Sequence, residues 1–223
     1  MDVTCPAGTC SLMEPGMARV VELSHPLVKH HLAQMRNEQT RPEEFRRLVS
    51  RLATILAYQA TSDLELEPVR VKTPLVETAG ERLSQSIGLV PILRAGLGMV
   101  DPLLELVPTA GVWHLGMYRD EQTATPVEYY SKLEGHPPVD VALVLDPMLA
   151  TGGSAVAALR ALSRWGVPRL KLLSIIAAPE GVEAVQQQCP DVEIHVCVID
   201  ECLNDVKFIV PGLGDAGDRI FNT

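Results

Sequence analysis

The chain has no Cys-x-x-Cys pair, no apolar run long enough to cross a bilayer and no Gly-x-x-x-x-Gly-Lys-Ser/Thr loop. The first absence, with an odd count of five cysteines, argues for reduced thiols over a disulfide framework and against a zinc site. The second removes a transmembrane helix. The start, Met1-Asp2-Val3-Thr4, also lacks the basic and apolar regions of a signal peptide, so a cytoplasmic protein is expected. The third removes a P-loop kinase. Basic charge is short as well: 19 Lys and Arg against 28 Asp and Glu leave a net charge of −9. That balance argues against a nucleic-acid surface. It leaves room for a small anion, because a few arginines make one cleft locally positive.

What is present suits one soluble domain: 223 residues, 47% apolar and 21% charged, enough to bury a core. Residues 1–16 have no clear period and read as a loose leader, with Met17 a candidate true start and 17–223 a single domain. Ser24-His25-Pro26 predicts a helix start. His25, His30 and His31 read as surface or packing residues rather than metal ligands. A second helix is predicted over Pro42–Ala60, where Phe45, Leu48, Leu52, Ile55 and Leu56 make one apolar stripe. Residues 63–80 read as extended and turn-rich, with Pro68 and Pro74 opposing a central strand.

Buried strands are predicted at 87–93, 141–145, 170–178 and 192–199, with helices between them. That alternation implies an α/β fold with a mostly parallel central sheet flanked by helices. Val112–Tyr118 reads as a further strand. With Val127–Leu133 it predicts a projecting β-hairpin around a polar tip, a device that can exclude water.

Three polar turns carry the chemistry. In the first, Val141–Leu145 runs into Asp146-Pro147-Met148-Leu149-Ala150-Thr151-Gly152-Gly153-Ser154 and then a helix. Small residues and free N–H groups at a helix start suit a phosphate. Asp146 stands at the strand's carboxyl end, where α/β sheets place ligands. The turn by itself equally fits an ordinary β–α junction capped by Ser154 or Thr151. In the second, Arg94-Ala95-Gly96-Leu97-Gly98 follows a strand. It lacks the third glycine of a dinucleotide fingerprint. In the third, Phe208-Ile209-Val210-Pro211-Gly212-Leu213-Gly214-Asp215-Ala216-Gly217-Asp218-Arg219 matches GxGxxG by letter, but only four residues follow, too few for the crossover unit of that motif.

Together these segments resemble the uracil phosphoribosyltransferases, from about Met17 to Thr223. Asp-Pro-Met-Leu-Ala-Thr-Gly-Gly-Ser is similar to their 5-phosphoribosyl-1-pyrophosphate (PRPP) loop, Tyr118-Arg119-Asp120-Glu121 to their mobile loop, and the last turn to their uracil loop. The resemblance implies a phosphoribosyltransferase-like fold with a C-terminal uracil-binding hood over 200–223. It implies transfer of ribose 5-phosphate from PRPP to uracil, giving UMP and pyrophosphate. The catalytic residues it implies are Asp146, Arg94 and Arg119. PRPP would contact Arg94, Arg119, Asp146 through Ser154, and Asp215. Uracil would contact Ile209, Val210, Gly214, Asp215 and Ala216. Mg2+ would be held mainly by substrate and water. A homodimer or homotetramer and a GTP effector are compatible with it, and neither nucleic acid nor membrane is implied. The family often has a cis peptide in the pyrophosphate loop, here expected at Arg94–Ala95. Two departures stand out: Cys202 replaces a small or basic residue, and Phe208 replaces a tyrosine. An RNA-binding regulator on the same fold, or a binding module without turnover, are the rivals.

Overall fold

The computed structural model describes residues 18–119, 126–131, 133 and 135–223, with backbone alone for 115–119 and 126–131. The expected leader and the hairpin tip at 120–125 lie outside the described residues. The chain begins with β1 (Val20–Glu22), α1 (Pro26–Arg36) and α2 (Pro42–Ala60). A hairpin of β2 (Leu66–Lys72) and β3 (Glu77–Leu83) follows, then β4 (Ile87–Pro91), a 3-10 turn (Ala95–Met99), α3 (Val100–Leu106) and β5 (Gly111–Val112). Next come β6 (Leu115–Arg119) and β7 (Pro126–Ser131), then β8 (Val141–Leu145), β9 (Met148–Leu149) and α4 (Gly153–Trp165). The chain closes with β10 (Arg169–Ala177), α5 (Pro179–Gln188), β11 (Glu193–Ile199), β12 (Cys202–Leu203), β13 (Ile209–Val210) and α6 (Ala216–Phe221).

The central sheet has seven strands, in the order β1-β11-β10-β8-β4-β5, with β9 also on β10, and every pairing in it is parallel. Its middle strands read as unbroken apolar runs because both faces are covered. Side chains alternate across the sheet. Val141, Leu143 and Leu145 therefore join one core with Phe45, Leu48, Leu52 and Leu56 of α2. Ala142 and Val144 join the other, with Leu159 and Leu162 of α4. Each large side chain so buried is worth about 1.5–3 kcal/mol, so the sheet edge that carries the loops is a rigid base.

One expectation needs correction. Val112–Tyr118 is not one strand. Trp113 hydrogen-bonds Leu89 and packs its ring on Trp165 and His136 (centroids 5.0 and 5.2 Å), and beyond it the chain leaves the sheet for the antiparallel pair β6–β7. Residues 66–83 are extended around a turn, as expected, and form an antiparallel hairpin off the main sheet. The C-terminal glycine-rich turn ends in a short helix, α6, because Asp215 caps it by accepting from the Asp218 N–H at 2.9 Å.

Candidate active site

β8 delivers Asp146 to the carboxyl end of the sheet. Its carboxylate accepts from the Met148 N–H at 3.2 Å, which folds the chain back into β9. The surrounding protein density pushes the Asp146 carboxyl up to about 7, although part of the residue still reaches the cleft. The single hydrogen bond from Met148 opposes that shift and does not cancel it.

The loop then closes on α4. Gly152 is the residue before the helix, at φ 79, and offers no side-chain cap. A Cβ there would also lie 2.9 Å from the Gly181 carbonyl oxygen, so only glycine fits. Neither Thr151 nor Ser154 caps the helix, which sets aside the ordinary capped junction. Both residues, with the start of α4, border one cavity of about 210 Å3, lined by Asp146, residues 148–155 and Lys207. Orphan N–H groups at a helix start are an anion site. The volume suits one phosphate-bearing part of a ligand rather than a whole large one.

Arg94 sits in the right-handed helical conformation at the head of the 3-10 turn. The cis peptide is Leu93–Arg94, one bond before the expected Arg94–Ala95. The Arg94 side chain is exposed and pairs with Asp218 of α6 at 3.0 Å. Met148 Sδ accepts from the Ala216 N–H at 3.2 Å. Each of these two contacts ties the C-terminal turn to another loop, so three segments that are far apart in sequence converge at one end of the sheet. Arg119 ends β6, and its side chain lies outside the described residues.

In the C-terminal turn, Ile209 is buried in the core and supports the loop from beneath. The Val210 carbonyl accepts from Glu201, and Val210–Pro211 is cis. The backbone of Gly214 is engaged by no other described residue. Two arginines outside the sequence-read set hold this turn. Arg36 pairs with Asp200 and donates to the Gly212 carbonyl at 2.7 Å, while Asp200 accepts from the Gly212 N–H at 3.0 Å. Arg219 donates to the carbonyls of Met35, Leu213 and Asn37 and lies 4.3 Å over the Phe45 ring. Among the described residues no cluster of three metal-ligating side chains occurs.

A model of the uracil phosphoribosyltransferase family matches residues 21–223. The chain is 59% identical to the uracil phosphoribosyltransferase of Roseiflexus sp. (strain RS-1), over 93% of this chain and 100% of that one. It is 54% identical to the enzyme of the same name from Symbiobacterium thermophilum, over the same shares. Among solved structures, the AQ2163 protein from Aquifex aeolicus superposes with a TM-score of 0.85 at 41% identity, covering 91% of this chain and 97% of that one.

Proposed function

The chain belongs to the uracil phosphoribosyltransferase family, and from that premise we propose how its three loops divide the reaction. It transfers ribose 5-phosphate from PRPP to uracil. The bond from the sugar C1 to the pyrophosphate oxygen breaks, a bond from C1 to a ring nitrogen of uracil forms, and that nitrogen's proton leaves to solvent.

The 5-phosphate rests on the N–H groups and hydroxyls of Ala150–Ser154, to which Pro147, Met148 and Leu149 lead the chain. Asp146 accepts from the ribose hydroxyls, directly or through water. Arg94 and Arg119 take the pyrophosphate, whose charge grows as the C1–O bond breaks. The exposed Arg94–Asp218 pair is worth at most about 1 kcal/mol. A charge-assisted bond to phosphate is worth about 1.5–3 kcal/mol. The ligand therefore wins Arg94 from Asp218. Among the described residues one acid lines the cavity, Asp146, a donor set that fits a Mg2+ held mainly by substrate oxygens and water. If bound there, held in place by Asp146 and the substrate oxygens, Mg2+ would supply charge neutralisation at the pyrophosphate.

Backbone groups of Val210, Gly214 and Ala216 complement the two carbonyls and the N3–H of uracil. The unengaged Gly214 backbone supports this, and the Ala216 N–H gives up only a weak sulfur acceptor. Asp215 links the base side to the PRPP side. Cytosine presents an amino donor in place of one carbonyl, and such a mismatch costs about 10⁴-fold. Catalysis comes from positioning and electrostatics around a cation-like sugar carbon. The same reading makes this a cytoplasmic homodimer or homotetramer of pyrimidine salvage, points that rest on family membership.

The observation that carries the proposal is the convergence of the three loops through Met148–Ala216 and Arg94–Asp218. Purified protein with PRPP, Mg2+ and uracil should form UMP, and cytosine should give no CMP. Absence of UMP from folded protein would favour a binding module.

A further inference from the structure

Resting on that reading, we propose that Lys207 is a further ligand of the 5-phosphate, reaching over the cradle from the β12–β13 turn. Among the described residues it is the sole lining group of the cavity from outside 146–155, and the sole cation there. Arg94 does not line that cavity. Without Lys207 the cradle offers N–H groups and hydroxyls to a dianion but no countercharge.

The backbone of Lys207 points the same way. It stands at φ 67, one of two non-glycine residues in the left-handed region among those described, the other being Asn222. Asn tolerates that region, whereas for lysine it is unfavourable and glycine is the default. The turn does not require a lysine. The Lys207 N–H donates to the Asn204 carbonyl at 2.9 Å, and the Asn204 side chain accepts from the N–H groups of Val206 and Phe208 at 3.1 and 2.9 Å. A glycine would keep every one of these bonds at lower backbone cost. The lysine therefore contributes through its side chain. That side chain makes no ion pair among the described residues. Its charge reaches Glu180, at the start of α5, where the Leu203 N–H first and then Lys207 hold the carboxyl below its ordinary value.

The test uses the full-length protein with ribose 5-phosphate, PRPP and Mg-pyrophosphate as separate probes, by calorimetric titration. Lys207→Gly and Lys207→Met should each weaken ribose 5-phosphate and PRPP about tenfold at low salt, with a smaller loss at high salt. Pyrophosphate affinity should change less than twofold, and Lys207→Arg should stay close to the unaltered protein. Lys207→Gly should also raise the melting temperature by about 1–4 °C while binding more weakly, a combination that a merely structural lysine does not give. Unchanged ribose 5-phosphate affinity in both Lys207→Gly and Lys207→Met would overturn the proposal, as would an equal loss for pyrophosphate. If the unaltered chain made UMP yet Lys207→Met bound PRPP normally, the inference about Lys207 would fall and the functional reading would stand. Failure of the unaltered chain to bind ribose 5-phosphate would overturn both.

Discussion

In the proposed role Asp146 accepts from sugar hydroxyls most strongly when ionised, and burial in the fold resists its ionisation. With its carboxyl pushed up to about 7, kcat/KM for PRPP should fall about tenfold per pH unit below pH 7, as the free enzyme takes up one proton. Asp146→Asn should be about 10- to 100-fold slower and should lose that limb. A pH–rate series of both proteins from pH 5.5 to 8.5 checks this, and a limb that survives in Asp146→Asn would assign it to another group. Arg94 gives a second contrast. Arg94→Ala should lower kcat/KM for PRPP about 10- to 100-fold. Asp218→Ala removes a competitor for Arg94 and an exposed acceptor for the Thr223 hydroxyl, so KM for PRPP should stay level or fall, with a stability change within about 1 kcal/mol; steady-state kinetics and urea unfolding separate the two. Asp146, Thr151, Gly152 and Arg94 were legible in the sequence because each stands just after an apolar strand, and strand ends are where this architecture puts ligands. The pairing of Arg36 with Asp200 was not, although Asp200 too follows an apolar strand. The two are 164 residues apart and meet only through the fold. Nothing local distinguishes Arg36 from other helix-end arginines, nor Lys207 from other turn lysines.

The elements that were legible are those whose pattern is decided by burial. β8 and β4 are apolar throughout because both faces are covered, and α2 shows its stripe because only one face is. β9 was hidden because two residues are too few to carry a period, and it forms only by prolonging the edge of β10. Helix α5 begins at Pro179, directly after β10, because proline is tolerated in the first turn. That start has a consequence for the cradle. Gly181, in the first turn of α5, packs directly against it: a Cβ there would lie 2.4 Å from the Ala150 carbonyl oxygen and 2.8 Å from that of Leu149. Backbone cannot yield as a flexible side chain does. Gly181→Ala should therefore displace residues 149–152, raise KM for PRPP at least tenfold and cost about 1–3 kcal/mol of stability, while KM for uracil changes little. Equal losses for both substrates would mean that α5 supports the whole site rather than the cradle.

Across the whole molecule, two buried groups titrate against each other. Asp146 has its pKa raised from 3.8 to about 7, so between these values the folded state holds a proton that the unfolded chain has lost. Its contribution to stability therefore declines as pH rises from about 4 to 7. His195, in β11, has its pKa lowered from 6.5 first by burial and then by the charge of Lys171, against the opposite pull of Glu193. Its ring is 3% exposed, and neither nitrogen finds a hydrogen-bond partner among the described residues. The folded state keeps this ring neutral where the unfolded chain would protonate it. Its contribution is thus complete above pH 6.5 and is lost as pH falls. Below pH 6.5 the slopes have opposite signs, so the two contributions offset each other in the intact protein. Removing one group should expose the other. Asp146→Asn should gain stability with rising pH, by up to about 1.4 kcal/mol per unit, and His195→Gln should lose it by a similar amount. Urea unfolding of the three proteins at half-unit steps measures these slopes directly. Parallel curves for the intact protein and Asp146→Asn would mean that the Asp146 carboxyl ionises as freely in the fold as in the open chain, and the acid limb predicted for catalysis would then have to come from the substrate's own phosphates.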